Sequence, residues 1–151
     1  DGAWDLLPVS EPGRSQLEID VWAERETATA GRLIRVECRP SRDSFVAVYR
    51  LGADGRFEQA LPSGSGGMRF VRGGEVVSVS APDHEGLAVD RPGVEGFWAV
   101  ASSAELPLRN EGAAAAVAAR RMRELLTRLP SDRWAAAAYK VRVRRAAEGE
   151  M

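Results

Sequence analysis

Asp43-Ser44-Phe45-Val46-Ala47-Val48-Tyr49-Arg50-Leu51-Gly52-Ala53-Asp54-Gly55-Arg56-Phe57-Glu58-Gln59-Ala60-Leu61-Pro62 decides the fold. An apolar run, an Asp-Gly turn, a second alternation and a proline stop spell a β-hairpin. Gly55 supplies the positive φ that such a turn needs. On the first strand Phe45, Ala47, Tyr49 and Leu51 take one face, and Val46 and Val48 the other. Both faces are apolar, so this strand belongs at the middle of a sheet covered on two sides.

Working upstream, Arg32 to Cys38 alternates, with Ile34, Val36 and Cys38 inward and Leu33, Arg35 and Glu37 outward. Arg39-Pro40 breaks that run. Gln16 to Glu24 alternates as well, with Leu17, Ile19 and Val21 facing in. Residues 1–15, with Pro8, Pro12 and Gly13, show no period and read as an arm whose Trp4, Leu6 and Leu7 cover the domain's own edge.

Downstream, Pro62 to Gly67 is a glycine-serine loop. Phosphate cradles place a helix N-terminus directly after such a loop, whereas strand-like Met68-Arg69-Phe70-Val71 follows here. Strands are also predicted over 75–81, 87–90 and 96–102. The last sets Phe97, Ala99 and Ala101 against Trp98 and Val100. Short strands separated by turns argue for an antiparallel β-sandwich, immunoglobulin-like in general shape. The period then changes. Asn110 caps a predicted C-terminal helix over 111–129, stopped by Pro130, with a stripe of Ala114, Ala118, Met122, Leu125 and Leu129. Trp134 to Ala138 is compatible with more helix. From Ala138 to Arg144 the alternation is strict, giving a final edge strand with Lys140, Arg142 and Arg144 outward. One domain over 16–145 and a frayed tail over 146–151 complete the expected organisation.

Hydrophobic residues make up 44% of the 151 and charged residues 28%, as in an ordinary globular domain. The net charge of −1 exerts no global pull on nucleic acid or membrane. Charge is nevertheless segregated: residues 1–109 carry 12 basic and 17 acidic side chains, residues 110–151 carry 9 and 5. A single cysteine, Cys38, rules out an intrachain disulfide. The chain opens at Asp1 and not at Met, so it is read as part of a longer product, with any leader or membrane tether outside these residues.

Four segments resemble a bacterial domain-of-unknown-function family attached to serine/threonine kinases, caspase-like peptidases and cell-envelope proteins. They are Ala30-Gly31-Arg32-Leu33-Ile34, the hairpin from Asp43 to Pro62, Val71 to Pro82, and Pro92-Gly93-Val94-Glu95-Gly96-Phe97-Trp98-Ala99-Val100-Ala101-Ser102. Together they span about residues 17–108. Ala60-Leu61-Pro62-Ser63 departs from the family's usual strand ending. The helix and the basic final strand lie outside the match. The resemblance implies a non-catalytic accessory module and carries over no catalytic, cofactor or metal residues.

The candidate chemistry of the residues themselves points the same way. His84, the only histidine, stands in Asp83-His84-Glu85, and consecutive positions cannot converge on a metal ion. Cys38 with His84 would make a nucleophile and base for a small hydrolase, but Cys38 faces inward, where a thiol is packing material. A basic set on the C-terminal third (Arg120, Arg121, Lys140, Arg142 and Arg144) has the charge to contact phosphates, yet lacks a recognition motif, so no nucleic-acid partner is expected. Trp22 and Trp98 fall on faces opposite the first-choice core and either pack under the helix or form a binding patch. Packing under the helix is the favoured reading. Those two tryptophans and the basic set are the candidate partner-binding residues. The expected function is a non-enzymatic interaction or sensory module, extracytoplasmic, whose partner is another protein or another domain of the same chain. The alternatives are a hydrolase using His84 and a nucleic-acid-binding accessory domain.

Overall fold

The computed structural model describes residues 7–10, 16–53, 55–62, 67–79, 86–89, 91–108 and 115–146. Its strands are β1 (Ile19–Ala23), β2 (Thr27–Thr29), β3 (Arg32–Ile34), β4 (Val36–Pro40), β5 (Ser44–Leu51), β6 (Phe57–Leu61), β7 (Arg69–Val71), β8 (Val77–Val79), β9 (Leu87–Val89), β10 (Gly93–Ser102) and β11 (Trp134–Arg144). The described helix, α1, spans Ala115–Thr127. The expected cap at Asn110 and the helix start over 111–114 lie outside the described residues, as do Ser63 to Gly66 and His84.

Three layers result. A sheet ordered β1-β4-β8 faces a larger sheet ordered β2-β11-β10-β5-β6, with β7 also pairing β5. A ribbon of β3 and β9 flanks them. The hairpin forms as read: β5 and β6 pair antiparallel, and Gly55 sits at φ +84°. A bulge at Val48/Tyr49 shifts the register, as bulges do when a strand must twist. β5 is interior to its sheet, and its two faces feed two cores. Val46 and Val48 join Ile19, Val21, Val36, Cys38, Phe97 and Ala99 between the sheets. Ala47, Tyr49 and Leu51 join Trp98, Val100, Ala119, Met122 and Leu126 under the helix. A period-two strand with apolar residues on both faces can be satisfied only in this way.

Five expectations change in detail. Arg32 to Cys38 is not one strand: the chain breaks at Arg35, so β3 pairs β9 while β4 pairs β1 and β8. Reciprocal bonds hold the break, from Glu24 N to Arg35 O at 3.0 Å and from Arg35 N to Glu24 Oε1 at 3.1 Å. Pro40, expected to lie in the break after Cys38, ends β4 opposite Ile19. The alanine run after Trp134 is strand and not helix, pairing residue for residue with β10. Its helix propensity loses to sheet packing: Ala135 lines the inter-sheet core, Ala136 the helix-side core, and small side chains let β1 lie close over β10 and β11. The buried line of α1 runs through Ala119, Met122 and Leu126, with Ala118, Leu125 and Leu129 only partly covered. β11 is an edge strand for most of its length, but β2 closes its last three residues in parallel.

Residues 7–10 of the arm cover the domain's own edge. Leu7 is buried in the helix-side core, Trp98 Nε1 donates to Pro8 O at 2.8 Å, and Ser10 N donates to Ala136 O at 2.9 Å.

That same core holds an uncompensated polar atom. Tyr49 is buried, its ring stacked 5.0 Å from Phe57, and its hydroxyl meets no hydrogen-bond partner among the described residues. Burial alone pushes its phenol pKa up. Tyr49→Phe removes that desolvated hydroxyl while keeping the ring, so urea unfolding is expected to show a gain of about 1 kcal/mol.

Candidate functional site

The basic residues singled out from the sequence fall into two groups. Arg120 and Arg121 are exposed on α1, away from the buried Ala119–Met122–Leu126 line. Lys140, Arg142 and Arg144 are exposed on one face of β11, beyond the part of that face covered at Ala136. Register explains their exposure. Val94 and Gly96 of β10 stand opposite Arg142 and Lys140, and Val94 is itself exposed, so no bulky described side chain roofs this end of the sheet.

An open depression of about 620 Å³ lies there. Ala138, Tyr139, Lys140 and Arg142 line it from β11, and Glu26 and Thr27 from the start of β2. Burial, together with the Glu26 carboxylate, raises the Tyr139 phenol pKa. The depression thus has cationic side chains on one face of the strand and an acid with a phenol on the other.

The tryptophans separate. Trp98 is 1% exposed and packs beneath α1, where its ring touches no external surface. Trp22 does not pack under the helix. It sits half-buried on β1, in the other sheet, with the Arg39 guanidinium 5.9 Å from its ring centre. Arg39 also pairs with Asp20 at 3.4 Å, an exposed ion pair of the kind that contributes little to stability.

Cys38 lies wholly inside the inter-sheet core, in register with Val21 and Val77. Burial pushes its thiol from 9.0 to about 12, with a lowering influence from Arg69 and a smaller raising one from Glu37. A thiol that resists ionisation to that degree is packing material. Its raised pKa also sets a sign. Between pH 9 and 12 the unfolded chain releases a proton that the folded chain retains, so stability is intact below pH 9 and falls as pH rises. Wild type is expected to lose up to about 1.4 kcal/mol per pH unit there, and Cys38→Val to lack that component, in urea titrations at stepped pH.

One pair escaped the sequence reading. Arg50 of β5 and Glu95 of β10 form a two-pronged ion pair, Nε to Oε2 at 3.0 Å and Nη2 to Oε1 at 3.2 Å. Arg50 Nη2 also donates to the Ala88 carbonyl of β9. The signal was present: Arg50 and Glu95 each continue the alternation that sends Val46, Val48, Phe97 and Ala99 into the inter-sheet core. The pair ties three strands from two sheets together. Gln59, also buried, holds the chain beyond Pro62 through Nε2 to Gly67 O at 2.7 Å.

Among the described residues no group of three or more His, Cys, Asp or Glu side chains converges as a metal site would require, and no helix is long and apolar enough to cross a membrane. Comparison with curated proteins and with solved structures gives no match. A family model described as a domain of unknown function, DUF4384, matches residues 27–105. That span runs from β2 through β10 and includes the hairpin on which the fold turns, while α1 and the basic β11 lie beyond it. With more than half of its length matched, the chain belongs to the DUF4384 family of domains of unknown function.

Proposed function

We propose that this chain is a non-enzymatic interaction or sensory module, the extracytoplasmic part of a longer bacterial envelope or signalling protein. Its partner is another protein or another domain of the same chain. The observation that carries the reading is the depression on β11: exposed cations beside an open cavity, at the edge of the main sheet, on an element the family match does not include. The burial of Cys38 weighs against the form of the rival hydrolase that pairs Cys38 with His84, because that form needs an ionisable nucleophile there.

Two measurements test the reading. In a screen of ester, peptide and phosphoester substrates, turnover that disappears in His84→Ala or Cys38→Ala contradicts it; the expected result is no turnover sensitive to either change. A photo-crosslinking side chain at position 138 of the longer native product is expected to give a protein adduct in living cells. The same group at position 120, on the outer face of α1, is expected to give none.

A further inference from the structure

We infer that the outer surface of the α1 layer is a docking face for an anionic lipid bilayer. The inference goes beyond the partner reading above and concerns a different surface.

The core fixes which residues face outward. Ala119, Met122 and Leu126 of α1 are buried against Trp98, Val100 and Ala136 of the main sheet. With about 3.6 residues per turn, Val117, Arg120 and Glu124 then point away from the sheet and Arg123 lies on a flank, all exposed. Arg128 follows the helix directly and is exposed too. Strand side chains alternate, so Arg142 and Arg144 rise from the same face of β11 as Ala136, the side on which α1 lies. One side of the molecule thus gathers five arginines: Arg120, Arg123, Arg128, Arg142 and Arg144. None of the five forms an ion pair with a described residue. Between residues 115 and 146 the chain carries nine basic and two acidic side chains. On the far side of the domain, the outer face of β1-β4-β8 sets Asp20 and Glu37 against Arg39. A chain of net charge −1 is therefore polarised between its two outer layers.

What the helix surface lacks selects among polyanions. Protein interfaces are anchored by buried aromatic and apolar side chains, and α1 contains no aromatic residue. Single-stranded nucleic acid needs the same aromatics for stacking. A duplex places phosphates at fixed positions along a helix that meets it, and Glu124 stands one turn from both Arg120 and Arg128, where it repels them. A bilayer presents charge as a diffuse plane. Attraction to it sums over the whole face, so one acid subtracts from the total without blocking contact. The exposed Val117 beside Arg120 adds an apolar group at headgroup level. Arginines spread over a helix and a strand suit that plane better than a discrete ligand.

The test is flotation of the full chain with vesicles of phosphatidylglycerol and phosphatidylcholine in equal parts, beside vesicles of phosphatidylcholine alone. The chain is expected to float with the anionic vesicles only, and to be released at about 1 M salt, where charge is screened within about 3 Å. Arg120→Glu with Arg123→Glu and Arg128→Glu is expected to weaken binding at least tenfold. Arg32→Glu with Arg35→Glu and Arg39→Glu makes the same charge change at exposed positions of β3, β4 and the break between them, and is expected to leave binding little altered. Cys38 is buried, so a dye attaches selectively at Val117→Cys or at Asp20→Cys. A quencher on the lipid headgroup is expected to quench the dye at 117 and not at 20. Absence of flotation at low salt overturns the inference, as does an equal loss in the two triple variants or equal quenching at 117 and 20. Duplex DNA or polyglutamate that strips the chain from the vesicles at matched charge overturns the assignment to lipid. None of these outcomes touches the adduct at position 138, so the partner reading stands or fails separately. If a charge-reversed variant fails to fold by circular dichroism, the two dye positions still decide.

Discussion

Glu95→Ala is expected to destabilise the fold by about 3–5 kcal/mol, because it leaves the Arg50 guanidinium without its carboxylate in a mostly buried site. The side chains of Arg50 and Glu95 are 18% and 6% exposed. For a domain of this size that corresponds to a fall in thermal midpoint on the order of 10 °C. Pairing in two places matches the fork of a guanidinium to both carboxylate oxygens, a geometry that lysine cannot reproduce, so Arg50→Lys is expected to recover little. Replacing both partners with apolar residues, Arg50→Met with Glu95→Leu, removes the uncompensated charge along with the pair. The double variant is expected to regain most of the loss, because breaking a buried pair costs more than replacing it. Chemical denaturation of the three variants beside wild type checks the set. A Glu95→Ala protein as stable as wild type would show that the pair is solvated and not structural.

Trp98→Ala carries the second large effect. Trp98 heads the fully buried side chains and stands between the main sheet and α1, with Tyr49 6.1 Å away. Truncating it is expected to cost about 3–5 kcal/mol through lost burial and the cavity left behind. The loss has a second component that geometry makes visible. Trp98 Nε1 holds Pro8 O, so the variant also loosens residues 7–10 from the sheet. Trp98→Phe is expected to retain most of the packing but not that bond. Limited proteolysis should therefore nick the arm faster in both variants, while thermal stability drops steeply only in Trp98→Ala.

How far the sequence determines this fold depends on whether a residue's environment is written locally. The hairpin was legible because its turn, its alternation and its proline stop lie within twenty consecutive positions. The two-sided burial of β5 was legible from apolar residues on both faces. Trp98 under the helix followed from its phase relative to Phe97 and Ala99. Trp22 has the same local phase signature but packs elsewhere, because which sheet a strand joins depends on pairing distant in sequence. The break at Arg35 was hidden for the same reason: Ile34, Val36 and Cys38 keep one unbroken alternation although their strands part company. Ala135 to Ala138 shows propensity yielding to context, since alanine favours helix until a long partner strand offers a complete ladder. The candidate site was half legible. The alternation of Lys140, Arg142 and Arg144 announced a basic strand face. The depression beside it arises because β2 returns to pair only three residues of β11, and no local pattern reports that.

If the chain acts at the depression on β11, the edge of that strand must be open at Ala138, and amide hydrogen exchange resolved by residue reports on it. Ala136 and Arg142 are bonded outward to Ser10 and Glu26, and the backbone groups of Ala137 point inward to β10. Ala138 lies between them facing outward. The Ala138 amide is expected to exchange on the order of a hundredfold faster than those of Ala137, Ala136 and Arg142, in a core strand otherwise protected to near the global limit. An Ala138 amide as protected as Ala137 would mean that the edge is closed there, and would contradict a binding site on β11.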